Sequence, residues 1–580
     1  ANKTYYLTLT TYNLFPFFLI GLFNQSVKSM QTPDYIVFFI YFIIVSTYGW
    51  YVYKRKKHED SKDYFLAKDS LTWWAIGASL IASNISAEQF IGMSGSGFTM
   101  GLAIAAYEWL AAVTLIVVAV FFIPIYLKNK IYTMPQFLKT RYNETVAMIM
   151  AVFWLLLYVV VNLTSILFLG ALAISSISGL DFAVCMVGLA LFAIVITLGG
   201  MNVIGYTDVI QVVFLVLGGL VTTYLALDMV AQHFGSEGPI NGFNLLTKNS
   251  GDHFQMIFEK DDPYFIDLPG LAVLVGGMWI VNLNYWGCNQ YITQRALGAD
   301  LQTARSGILF AAFLKLLMPI IVVLPGIAAY VLFKENVFRD EMMLNGEVMA
   351  DRAYPVLLNL LPVGLKGLAF AALTAAVVAS LAGKANSIAT IFTLDIYKKV
   401  LNPVADEKRQ VEVGRWVIVI SMIMAVVIAP YLGIDKKGGF QYIQEYTGFV
   451  SPGILAMFLL GFFWKKATSN AALFATIGGF LLSIIFKFMP DYVDLQFLNS
   501  TGFSVANAEG VYEIPFIDRM GFVFIICVLV MYLISIYENR NGIIPNALKV
   551  DNSMFRTTPG FAVGALFIIG IIAALYGIYW

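Results

Sequence analysis

The sequence predicts an all-α integral membrane protein with about fourteen transmembrane helices. Three observations predict it. Of 580 residues, 59% are hydrophobic and only 12% are charged, against about 25% charged in a soluble domain. Apolar runs of about 20 residues, the length that crosses a bilayer as a helix, recur along the chain. The Lys and Arg residues gather in alternate short connections, as cytoplasmic loops do.

Taken in order, hydropathy places spans at 35–53, 74–97, 102–127, 146–175, 181–199, 207–233, 267–289, 304–334, 362–394, 413–433, 440–463, 469–488, 518–537 and 559–579. Lys54, Arg55, Lys56 and Lys57 follow the first, and Lys128, Lys130, Lys139 and Arg141 follow the third, which puts both loops in the cytoplasm. Arg295 and Arg305, Lys398 to Arg409, and Lys465 with Lys466 fall on the same side. The acidic loops 234–266 and 488–517 fall on the other, so both termini are expected outside, extracellular or periplasmic. Residues 1–34 read as an N-terminal extension, either a signal remnant or an interfacial segment.

Composition also excludes. The 36 Lys+Arg balance 36 Asp+Glu, which argues against a nucleic-acid partner. Cys185, Cys288 and Cys527 sit in apolar runs without ligand spacing and read as packing residues. His58, His233 and His253 form no metal or nucleophile constellation, so an enzyme is not expected.

The second span is unusual. "SLIASNISAEQFIGMSGSGFTMG" is the most polar and glycine-rich passage at membrane depth. Its small residues suit close helix packing, but Asn84, Ser86, Glu88 and Gln89 arriving together suit an interrupted helix lining a cavity, with the glycines and serines permitting the break. Five spans later "GGMWIVNLNYWGCNQYITQR", residues 276–295, mixes polar and apolar residues in the same way. Five is odd, so two consecutive five-helix units enter the membrane from opposite sides. Interrupted segments at corresponding places in inverted repeats mark a transporter's binding site. The expected layout is one extra helix (35–53), repeat 1 (74–233), repeat 2 (267–464) and three further helices (469–580).

Ionisable groups at membrane depth cost about 2.5 to 3.5 kcal/mol on insertion scales and face cavities or snorkel to an interface. Glu108 in "AAYEWL" and Lys315 in "AAFLKLL" are such groups. Either reading is open on residues alone.

"YFLAKDSLTWWAIGASLIASNISAEQFIGMSGSG", "NLNYWGCNQYITQRAL", "SIATIFTLDIYKK" and "FQYIQEYTGFVSPGILAMFLLGFFWKK" closely resemble the solute:sodium symporter family, including bacterial sodium/galactose and animal sodium/glucose cotransporters. The resemblance runs from about residue 35 to the end. It implies a LeuT-type fold with a five-plus-five inverted repeat, and Na+-driven import of a hexose, galactose or glucose type, by alternating access. It implies a multi-pass protein of a bacterial inner (plasma) membrane, working in the lipid bilayer as a monomer or weak homodimer. By resemblance, the sugar ligands are Gln89, Glu108, Asn282, Lys315 and Gln444, with Tyr285 stacking on the ring and Tyr107 lining the site. Sodium would lie between the carbonyls of Ala82, Ile85 and Ala376 and the hydroxyl of Ser380. Asp208 would mark the ion's exit, although helix capping by Thr207 or Asp208 is an equal reading. Arg295, Trp286 and Asp395 are family-like and read as structural.

Three departures stand out: Ala111 and Ala379 where the family has serines, and Lys384 where it has an apolar residue. Lys384 lies four after Ser380, on the same helix face; it either snorkels or pairs with an acid, or else competes with sodium. The alternatives in function are another sodium-coupled solute (inositol, sialic acid, proline) or an ion-uncoupled uniporter on the same fold.

Overall fold

In a computed structural model of the protein, residues 30–55, 64–65, 71–344, 346–431, 439–507 and 509–580 are described. Expectations about residues 1–29 lie outside these. α1 (Thr32–Arg55) is followed by α2 (Trp73–Asn84), which stops within the protein. A π turn (Glu88–Met93) and α3 (Ser94–Met100) resume it, and after Gly101 the chain enters α4 (Ala106–Val117). Next come α5 (Glu144–Ser178), α6 (Phe182–Thr197) and α7 (Gly200–His233). The second interrupted segment is α8 (Gly277–Cys288) and α9 (Gln290–Leu297). After it run α10 (Leu301–Lys334), α11 (Leu365–Thr390), α12 (Glu407–Ile428), α13 (Gly439–Gly448) and α14 (Ser451–Phe463). Then come α15 (Ser469–Asp491), α16 (Phe516–Arg540) and α17 (Pro559–Ile578). Short antiparallel hairpins, Met343–Leu344 with Glu347–Val348 and Val505–Ala506 with Tyr512–Glu513, ornament two loops.

Among the described residues, twelve helical stretches are apolar and long enough to cross a membrane. Fourteen spans were expected, and the differences have physical reasons. The expected span 74–97 is cut at Ile85, and its second part runs into the next one with no loop between, so Glu88–Lys128 is one stretch of 41 residues. The expected span 181–199 is α6, with 16 residues, short for a crossing of its own. Two boundaries matter for function. α7 begins at Gly200, not near 207, and helical structure continues past Cys288 to Leu297.

Polar side chains start several of these helices. The Asp181 carboxylate accepts from the Ala183 and Val184 amides, Asn143 accepts from Val146, and Asp300 accepts from Gln302 and Thr303. Each serves amides that a helix leaves unpaired at its start. The layers follow burial. The apolar window of the stretch beginning at α11 is 89% buried and that of α1 only 22%, so α11 lies at the centre and α1 faces outward. Arg141, 0% exposed, ties down one end of the bundle: its guanidinium donates to the carbonyls of Gly461 (2.8 Å), Trp464 (2.8 Å), Ala467 (2.9 Å) and Asn546 (2.5 Å).

Candidate functional site

The break after α2 is made by side chains that compete for backbone amides. Ile85 is extended (φ −79°, ψ 116°). The Ser86 amide, which in an unbroken helix reaches back to the Ala82 carbonyl, donates instead to Gln89 Oε1 at 2.9 Å. The Gln89 amide donates to the Ser86 carbonyl at 3.2 Å rather than to Ile85. Ala82 and Ile85 thereby lose the amide partners that a continuous helix would give them, while the Ser83 carbonyl accepts from the Ser380 hydroxyl of α11 at 3.0 Å. The expectation that glycines permit the break needs correcting. They lie beyond it and serve packing: a Cβ at Gly92 would sit 2.7 Å from the Phe440 nitrogen of α13.

A polar cluster surrounds the end of α2. Lys315 Nζ, on α10, donates to both Glu108 Oε2, on α4, and Asn84 Oδ1, the last helical residue of α2. The Asn84 amide in turn donates to the Tyr285 hydroxyl of α8 at 2.9 Å. The Trp286 ring lies under the Lys315 ammonium, 5.2 Å from its centroid, and stands edge-on to Tyr285. Four helices thus bring two opposite charges, an amide and two aromatic rings together in a buried place. Lys315 and Glu108 do not snorkel; they pair.

The other expected solute ligands ring this cluster in different ways. Tyr107 packs edge-on against Phe440 at 5.1 Å, and among the described residues its hydroxyl has no partner. Asn282 turns its amide back to the Met278 carbonyl at 3.1 Å. Gln444 is half-buried on α13. Gln89 has its carbonyl oxygen engaged by the Ser86 amide and hydroxyl.

A second network runs behind the break. Arg295, on α9, donates from Nε to the Ser79 hydroxyl at 2.7 Å, from one terminal nitrogen to the Ser83 hydroxyl and from the other to the Tyr291 carbonyl. Ser79 donates onward to Asp208 Oδ2, which lies 3.8 Å from the guanidinium. Asp208 is 0% exposed and two turns inside α7, whose N-cap is Gly199. The capping alternative for Thr207 or Asp208 is therefore removed. Arg295 is no surface anchor: α9 continues inward past the break at Asn289, which the Tyr158 hydroxyl bridges by donating to Asn289 Oδ1 and accepting from the Gln290 amide. Ala376 and Ala379 are buried on α11 beside Ser380, and Lys384 lies one turn beyond. Asp395 pairs with Lys399 at 2.6 Å.

Sequence reasoning missed Asn84, which joins the two halves of the polar cluster, and undervalued Arg295. The signal for Asn84 was its place in the polar run; for Arg295, hydropathy alone held none. Among the described residues no group of three His, Cys, Asp or Glu side chains is placed to hold a metal.

The chain is similar to known proteins in family and in fold. The profile of the sodium:solute symporter family matches residues 64–479. A sodium/glucose cotransporter of Vibrio parahaemolyticus is 46% identical over 557 residues, covering 94% of this chain and 98% of that one. The human sodium/myo-inositol cotransporter 2 is 32% identical over 492 residues, 81% of this chain and 71% of that one. The solved structure of a Na+-coupled sialic acid symporter in a substrate-bound outward-open state superposes with a TM-score of 0.71, covering 87% of this chain and 98% of that chain, at 21% identity. That likeness establishes the LeuT-type fold. With two broken helices around a buried polar cluster and a family profile across most of its length, the chain belongs to the sodium:solute symporter family and is a sodium-coupled membrane carrier, not an enzyme.

Proposed function

We propose that this carrier imports a hexose of the galactose or glucose type by alternating access. The observation that carries the reading is the chain Glu108–Lys315–Asn84–Tyr285 beside the end of α2. A hexose presents hydroxyls that both donate and accept around an apolar ring face, and calls for an acid, a base, an amide and an aromatic plate. Glu108 accepts, Lys315 donates, Asn282 and Gln444 serve the rim, and Tyr285 supplies the plate; Tyr107 lines the outer wall. The free end of Gln89 is its NH2 group, which reaches a hydroxyl while Oε1 braces the break. The glucose for which the Vibrio relative is named supports the same class. A cyclic polyol is the second reading, favoured by the myo-inositol relative and by a cluster that recognises hydroxyls without a carboxylate-binding pair.

Sodium lies in this reading between the carbonyls of Ala82, Ile85 and Ala376 and the Ser380 oxygen. These are hard oxygen donors of the kind that suits a hard cation. Ser380 donates its proton to Ser83, so both lone pairs of its oxygen stay available. A cation there ties α2 to α11 and orders the segment bearing Gln89, which raises solute affinity. Asp208 then marks the release route, with Tyr285 moving aside for the solute. The two repeats, 74–233 and 267–464, rock against each other around this place, both termini facing outside in a plasma membrane of the bacterial inner type. The test is uptake of radiolabelled galactose, glucose, myo-inositol, sialic acid and proline into proteoliposomes with and without sodium. The reading expects sodium-dependent uptake competed by hexoses; competition by proline or sialic acid alone overturns it.

A further inference from the structure

Six ionisable side chains are buried around the two helix breaks: Glu88, Glu108 and Asp208 against Arg295, Lys315 and Lys384. Counted as charged, they sum to zero. Five of the six are held by hydrogen bonds. Glu108 is bonded to Lys315, Asp208 to Ser79, Arg295 to Ser79, Ser83 and Tyr291, and Glu88 accepts from the Ser165 hydroxyl at 2.9 Å.

Lys384 is the exception. It is 3% exposed, and among the described residues its ammonium makes no hydrogen bond and no ion pair. It lies over the Tyr291 ring, 5.1 Å from the centroid, within the field of the Glu88 carboxylate. An ammonium on an almost wholly buried side chain with no protein acceptor is costly, and the Tyr291 face and the Glu88 charge offset that cost. Four residues separate it from Ser380, so it shares that residue's face of α11. Ala379, next to Ser380 in sequence, brings no hydroxyl of its own. α11 therefore places a fixed positive charge, in search of acceptors, one turn from the oxygens proposed to hold the ion.

We propose that Lys384 is a tethered cation which, opposite Glu88, sets how tightly the broken-helix site takes its transported cation. This rests on the reading of Ala82, Ile85, Ala376 and Ser380 as the sodium place. With Lys384 present the buried cluster is already balanced, and an arriving sodium makes it net positive. Without Lys384 the cluster is net negative, and sodium completes it. The lysine thus weakens sodium binding, and neutralising it strengthens binding. Separated charges at this depth act on one another strongly enough to change an ion affinity on the order of tenfold.

The experiment is sodium activation of hexose uptake in proteoliposomes, paired with the sodium-induced rise of the thermal unfolding midpoint of the purified full chain in detergent. The expected results are half-saturating sodium lowered on the order of tenfold in Lys384→Met and Lys384→Gln, and nearly unchanged in Lys384→Arg. Glu88→Gln raises it, and Glu88→Gln combined with Lys384→Met returns it towards the wild-type value, which a purely structural role for either residue would not do. Should Lys384→Met fold poorly, Lys384→Gln and the detergent measurement carry the comparison. Sodium-dependent uptake with the same half-saturation in wild type, Lys384→Met and Lys384→Gln overturns the inference and leaves the sodium place standing. If no variant responds to sodium in either measurement, the sodium place falls and the inference falls with it.

Discussion

Glu108 and Lys315 show how much a single contact decides. Removing one partner leaves a lone buried charge, a change that costs about 3 to 5 kcal/mol. Glu108→Gln and Lys315→Met are each expected to lower the thermal unfolding midpoint in detergent and abolish uptake. The double variant is expected to regain most of the stability and none of the uptake, because the shape returns and the solute's partners do not. Tyr285→Phe removes only the hydroxyl that accepts from Asn84. Its expected effect is about 1 kcal/mol, read as a severalfold rise in KM for the solute. At this scale the sequence was legible where a charge stood alone in an apolar run, as with these two residues. Asp208 and Arg295 were harder because hydropathy draws its boundaries beside them, one residue before Asp208 and six before Arg295. The polar start of α7 and the polar continuation of α9 look like loop to a sliding window, yet both are helix inside the protein.

Elements add what residues cannot show. The first break was readable because four polar side chains crowd one segment, but its cause was not. Ser86 and Gln89 trade amides across the break, a local geometry that no periodicity encodes. At Gly101 the backbone takes φ +68°, ψ −145°, a region open almost only to glycine, and a Cβ there would run into the backbone of His253. Gly101→Ala is expected to cost about 1 to 3 kcal/mol in backbone strain, measured as a lower unfolding midpoint. His253 closes that corner: its ring stacks on Tyr330 at 3.8 Å and its Nε2 meets the Phe98 carbonyl at 3.1 Å. Burial holds this imidazole below its ordinary range, with Lys334 acting in the same sense and Phe98, Asp252 and Asp262 opposing. A depressed histidine pKa means that the unfolded chain takes up the proton first. Stability is therefore full above about pH 6.5 and falls as the pH drops below it. Thermal midpoints between pH 7.5 and 5 check this, and His253→Gln is expected to flatten part of the decline.

For the whole molecule, coupling sets a limit on work. One sodium moving down 100 mV releases about 2.3 kcal/mol, enough to hold roughly a fiftyfold solute gradient. Proteoliposomes at that potential with equal sodium on both sides are expected to level off near that ratio; a far higher plateau would mean a second coupling ion. The last three helices were legible as apolar spans, though their use was not. Glu445 of α13 meets Lys487 of α15 at 2.5 Å and Arg519 of α16 at 2.6 Å, so the first two of the three brace the helix that carries Gln444. Such pairings join residues far apart in sequence, which is why no local pattern announces them.

Arg141 carries the same principle into time. Its partners at Gly461 and Asn546 are made 320 and 405 residues after it. At about 5 to 20 residues per second, a newly made guanidinium waits roughly a quarter of a minute to a minute for its first lasting acceptor. Until then that end of the early helices lacks the four carbonyls that Arg141 gathers, and a chain stopped short of Gly461 lacks them permanently.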